Sequence, residues 1–161
     1  MTIANPATGL MSIVNVDGES VPVESRTIPR LIGLRIPSIT VNWWLSSDVD
    51  VVGTHTHEPM GCEIQTFWLD GLDFEEVETI RMAVISAIRR VSTPTRALVF
   101  DKQGITDAND WDSVLLYGGT QLPGVVESLL LGPEVSSKVL QASGSLTGEY
   151  IEGGLMRVLA T

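Results

Sequence analysis

The residues best equipped for chemistry crowd into one stretch, "VVGTHTHEPMGCEIQTFWLD", Val51 to Asp70, which holds both histidines and the only cysteine of the chain. Histidines at i and i+2 share one face of a strand, so His55 and His57 are spaced to chelate a single ion. Glu58, Cys62 or Glu63 could supply a third ligand, and Glu63 is the candidate that completes the set. Without a metal, a histidine base needs a nucleophile and an orienting carboxylate, and no spacing in the chain supplies that set. The plainer reading makes the stretch an acidic connector between two strands, with its histidines in a polar loop beside Pro59.

Gly53 followed by His-x-His resembles the first motif of the cupins, which implies a metal held in an all-β barrel. In that motif a glutamate follows three or four residues later. Here Glu58 comes at once and Glu63 comes late, and no third histidine exists for the second motif. A long amphipathic helix in the middle of the chain also departs from an all-β barrel. The resemblance is confined to Gly53–Glu63 and does not assign a family.

Other catalytic signatures fail more plainly. The chain has no GxGxxG and no Walker loop, so nothing cradles a phosphate. Neither "GVVES" nor "GSLTG" spaces its serine as a nucleophile elbow does. "DKQGITDANDWD" is acid-rich, but its glycine falls too early for an EF-hand loop and no closing glutamate follows, so a surface turn with Asx caps is expected. Cys62 has no cationic neighbour in sequence to lower its pKa, and one cysteine permits no internal disulfide. No cofactor is expected.

The totals say more about partners than about chemistry. With 161 residues, one domain able to bury its own core is expected. Twenty acids against 10 bases give a net charge of −10. Nucleic-acid binding requires a basic face, and anionic membrane surfaces are disfavoured by the same sign, so neither is an expected partner. A basic protein is. The amino terminus shows no secretory signal pattern and no apolar run reaches the length of a membrane helix, which makes the cytoplasm the default location. At 43% hydrophobic and only 19% charged, the domain could also bury surface against a copy of itself.

The charge is patterned. No lysine or arginine stands between Arg35 and Arg81, an interval holding Asp48, Asp50, Glu58, Glu63, Asp70, Asp73, Glu75, Glu76 and Glu78. A second base-free interval, 103–137, holds Asp107, Asp110, Asp112, Glu127 and Glu134. Segregated charge makes a one-signed field that steers oppositely charged partners. Trp43, Trp44, Trp68 and Trp111 lie in or beside these intervals, and Trp111, between Asp110 and Asp112, is a candidate exposed anchor.

The elements that must position these residues follow from periodicity. Residues 1–38 are irregular or edge strand, with short strands at 11–16 and 20–24 joined by a two-residue Asp17-Gly18 turn. Strands are expected at 39–45, around 49–52, and at 63–69, 96–101 and 113–118. Residues 73–92 carry Val77, Ile80, Val84, Ala87, Ile88 and Val91 at helical spacing, with Asp73 and Glu76 as a capping box. Two short helices are expected at 123–132 and 133–143, and the tail closes as a hairpin around Gly153-Gly154 or runs as one strand. The class is α+β: a mostly antiparallel sheet packed against one long helix, with shorter C-terminal helices.

These expectations favour a binding protein without catalysis, an inhibitor of a basic enzyme. In class and charge it is similar to bacterial immunity proteins, which neutralise a cognate toxin. The expected contact residues are Asp48, Asp50, Glu58, Asp70, Asp107, Asp110, Trp111 and Asp112. The alternatives are a small metal-dependent enzyme using His55 and His57, or a structural homo-oligomeric subunit.

Overall fold

The computed structural model describes residues 1–151 and 154–160. The fold is α+β, with two antiparallel sheets and four α-helices among those residues. The chain forms two compact units, residues 1–83 and 84–161.

The first unit is a five-stranded sheet in the order β2-β1-β3-β4-β5, built from β1 (Met11–Val14), β2 (Ser20–Val23), β3 (Ser38–Trp44), β4 (Asp50–His57) and β5 (Glu63–Phe67). Directly paired residues share a face, so the register sorts the side chains. Pairing Ile13↔Val41, Val41↔Gly53 and Gly53↔Phe67 makes one face apolar. Helix α1 (Thr27–Gly33) contributes Ile28 to the core on that face, where Ile28 is buried with Ile39 and Val41. The other face is a band of Ser12, Ser20, Thr40, Asn42, Thr54 and Thr66. Hydrogen bonds stitch it together, among them Thr40 to Thr54 at 3.0 Å and the Ser20 hydroxyl donating to Asn42 Oδ1 at 3.1 Å.

Two sequence expectations change in this unit. The β1–β2 connection runs over 15–19, because Asn15 Oδ1 accepts the N–H groups of Asp17 and Glu19 and widens the turn. Gly18 takes the left-handed conformation there, at φ +82°. The second change matters more for function. The short strand expected around 49–52 continues through His57 as β4, so the histidines are half-buried in a sheet rather than loose in a loop. Gly53, in the middle of β4, lies beneath two aromatic rings. A Cβ there would come within 2.9 Å of Trp43 Cδ1 and 3.0 Å of Phe67 Cδ1.

Helix α2 (Phe74–Ile88) opens as expected: Asp73 Oδ1 accepts the Glu76 N–H at 2.9 Å, and Glu76 Oε2 accepts the Asp73 N–H at 2.8 Å. It ends short of Ser92, and the Arg90 N–H reaches back only three residues to the Ala87 carbonyl. Val77 and Ile80 are buried, Val84 and Ile88 are half-buried, and Ala87 and Val91 are exposed.

The second unit holds the sheet β6-β7-β9-β8, from β6 (Ala97–Phe100), β7 (Ser128–Leu131), β8 (Leu146–Tyr150) and β9 (Met156–Ala160). Helix α4 (Pro133–Ala142), with proline in its first turn as expected, buries Val135 and Val139 in a core with Leu129, Leu131, Trp111 and Val114. The segment 113–118, read as a strand, starts with helix α3 (Asp112–Leu115), because an Asp107/Asp110 capping box opens a 3₁₀ turn at Ala108–Trp111 that α3 continues. The segment 123–132, read as a helix, contains β7. Its Leu129, Leu130 and Leu131 are all buried in an interior strand, and since successive side chains point to opposite faces, both faces of β7 are covered. The tail does close as an antiparallel hairpin, β8 with β9. Gly153, expected at its turn, lies outside the described residues, and Gly154 has φ +79°.

Candidate functional site

The first unit carries most of the charge. Residues 1–83 hold twelve aspartates and glutamates against four arginines, a formal −8, while residues 84–161 hold eight against six bases, a formal −2. Strand geometry then divides the acids of the first unit. Asp48 lies in the β3–β4 turn, where Ser46 Oγ accepts the Asp48 and Val49 N–H groups. Asp50 begins β4 and accepts a hydrogen bond from Asn42 Nδ2. The Trp68 N–H donates to the Val52 carbonyl, which carries Asp70 back toward the same end of the sheet. Glu58 and Glu63 lie at the opposite end, where His57 pairs with Glu63. Seven residues of strand separate the Asp50 and His57 rows, roughly 23 Å at about 3.3 Å per residue.

His55 and His57 do share a face with Glu63, as the i, i+2 spacing and the β4–β5 register require. Among the described residues, no group of three or more histidines, cysteines or acids is arranged to hold a metal ion. Cys62 is a half-buried free thiol.

In the second unit the expected contact residues have structural work. Asp107 and Asp110 form the capping box of the 3₁₀ turn, with Asp110 Oδ2 accepting the Asp107 N–H at 2.8 Å, and Asp112 begins α3. Trp111 is not an exposed anchor. It is 3% exposed in the core of this unit, and its indole N–H donates to Thr106 Oγ1 at 3.0 Å. The helical turn capped by Asp107 rotates the ring inward, with Asp110 exposed and Asp112 half-buried on either side of it. Thr106 in turn donates its hydroxyl to Asp101 Oδ2 at 2.8 Å, and Asp101 also accepts the Ile105 and Thr106 N–H groups. The loop is thus the Asx-capped turn expected of "DKQGITDANDWD". Burial opposes ionisation of Asp101, but the Thr106 hydroxyl and the backbone donors of Ile105, Thr106 and Gly104 hold its carboxyl below the usual value.

The exposed apolar residues of the first unit lie elsewhere. Trp68 is 47% exposed, next to Asp70 in sequence. Phe74 and Met82 are exposed on α2 and, with Glu75, Glu78 and Thr79, line a shallow open groove. Arg81 Nε donates to Glu78 Oε1 at 3.1 Å and Oε2 at 2.9 Å, and this pairing lowers the Glu78 pKa and raises that of Arg81. Phe74, Glu78 and Met82 stand at i, i+4 and i+8, a second stripe legible in the sequence but eclipsed by the stronger Val77–Ile80–Val84 stripe. No helix among the described residues is long and apolar enough to cross a membrane. Comparison with protein-family models, with curated proteins and with solved structures finds no match.

Proposed function

We propose that this chain is a non-catalytic acidic binding protein that docks on and neutralises a basic protein partner, in the manner of an inhibitor or immunity protein acting on a toxin enzyme. The observation that carries the reading is the concentration of charge: a formal −8 on residues 1–83 against −2 on the remainder. A compact unit of that charge draws a basic partner at rates that fall steeply with salt. With Trp111 in the core, the contact surface belongs to the first unit. Asp48, Asp50 and Asp70 form its charged end, and Trp68 supplies an exposed aromatic anchor next to Asp70. Glu58, at the far end of β4, gives a second charged edge.

Cross-linking of the tagged full chain in its native cell, followed by mass spectrometry, tests this reading. The expected product is a basic protein cross-linked through residues 48–78, whose activity the purified chain inhibits. Reversing Asp48, Asp50 and Asp70 to lysine should abolish both. Recovery of only acidic or neutral proteins, or inhibition untouched by the reversals, would overturn it.

A further inference from the structure

We propose that the outer face of α2 is a docking groove for a basic amphipathic helix of the partner, an inference that rests on the acidic-binding reading above. Helix α2 has two faces. One buries Val77 and Ile80, and the other presents Phe74, Glu78 and Met82 in a row, with Glu75 and Thr79 beside them. Phe74 is 74% exposed and Met82 53%. Eight residues of helix set these apolar positions roughly 12 Å apart at 1.5 Å per residue, a two-turn spacing that i and i+7 anchors on a second helix can meet. Methionine adapts to varied partner shapes, which suits it to such a contact.

Charge decides the occupant. Asp70, Asp73, Glu75 and Glu76 surround the start of α2, and Arg81, the one base between Arg35 and Arg89, is engaged by Glu78. The rim is therefore acidic, and the centre holds Phe74 and Met82 on either side of the Arg81-paired Glu78. A second copy of this chain would bring the same carboxylates against themselves, and like charges across an interface are unfavourable. A helix carrying lysine or arginine beside leucine or phenylalanine satisfies both the centre and the rim.

The experiment uses the isotope-labelled full chain and two probes, a synthetic leucine–lysine amphipathic helix and an oligolysine of equal charge. The amphipathic probe should shift the amide resonances of 74–82, bind at least ten-fold more tightly than oligolysine, and lose at least ten-fold in affinity with the Phe74→Ser, Met82→Ser variant. The variant's fold is checked by its circular dichroism and urea midpoint, and the mapping on the wild-type chain needs no variant at all. Shifts confined to the ends of the sheet at 48–50, 58–63 and 70 would overturn the groove while leaving the acidic-binding reading intact. Failure of both probes to bind at low salt would overturn both. Self-association through 74–82 in the absence of probe would replace the basic helix with a second copy and overturn the proposal.

Discussion

Replacing Gly53 by alanine tests how the first sheet is packed. A Cβ at that position would come 2.9 Å from both Cδ1 and Nε1 of Trp43 and 3.0 Å from Phe67 Cδ1. Ordinary carbon contacts begin about half an ångström further out, near 3.5 Å. The two rings meet edge to face with centroids 5.7 Å apart, so moving one away from the new methyl presses it on the other. Forcing one methyl into a filled site costs about 1–3 kcal/mol. Removing a strand glycine returns about 0.5–1 kcal/mol of chain entropy. The net destabilisation is about 0–2.5 kcal/mol, centred at about 1.3, or a fall of about 0.6 M in the urea midpoint at a slope near 2 kcal/mol/M. Tryptophan fluorescence during urea unfolding measures it, with Gly33→Ala as the control, since no atom lies within 4 Å of a Cβ there. The control should be neutral or slightly stabilising. A Gly53→Ala protein stabilised by about 0.5–1 kcal/mol, as expected of an unhindered strand glycine, would refute the tight contact.

Other outcomes follow from single contacts. Thr106→Val removes the acceptor of the buried Trp111 indole and one donor to Asp101, and should cost about 1–3 kcal/mol in urea unfolding. Asp73→Ala removes the cap of α2 and should cost about 1 kcal/mol, read as lost helical circular dichroism and a lower midpoint. The folded-state pKa of Asp101 lies below its unfolded value, so its contribution to stability is complete above the ordinary aspartate pKa of about 3.9 and is lost as pH falls through the folded value. Stability of the Asp101→Asn protein should accordingly change less between pH 5 and pH 2 than that of the wild type, as measured by urea unfolding at each pH.

What could be read in advance depended on whether local and tertiary forces agreed. The amphipathic start of α2, the β-branched and aromatic run of β3 and the alternation of β5 express local pattern, and all three are found where the sequence puts them. Only the start of β4 was legible, as a short strand near 49–52, and it takes the rings of Phe67, paired with Gly53, and Trp43, diagonal to it, to show why that position carries no side chain. Leu129–Leu131 have no period of their own, so strand and helix look alike until β6 and β9 flank them. The acidic character of 48–78 was legible from composition. Its separation into two ends of a sheet was not, because that depends on strand register. Trp111 was misplaced for a related reason: aspartates that flank a tryptophan mark a polar surface in an extended chain, but in a capped helical turn they leave it free to point inward.

The central claim is that the first unit, rather than overall acidity, recruits the basic partner. Two triple variants of equal charge change separate these: Asp48, Asp70 and Glu75 to lysine in the first unit, and Asp112, Glu134 and Glu149 to lysine in the second. Association rates with the cross-linked partner, measured by stopped flow at low and physiological salt, are the decisive quantity. At low salt the account predicts a loss of at least ten-fold for the first triple and less than three-fold for the second, in keeping with the leverage of local fields on encounter rates. Equal slowing by both triples would contradict it.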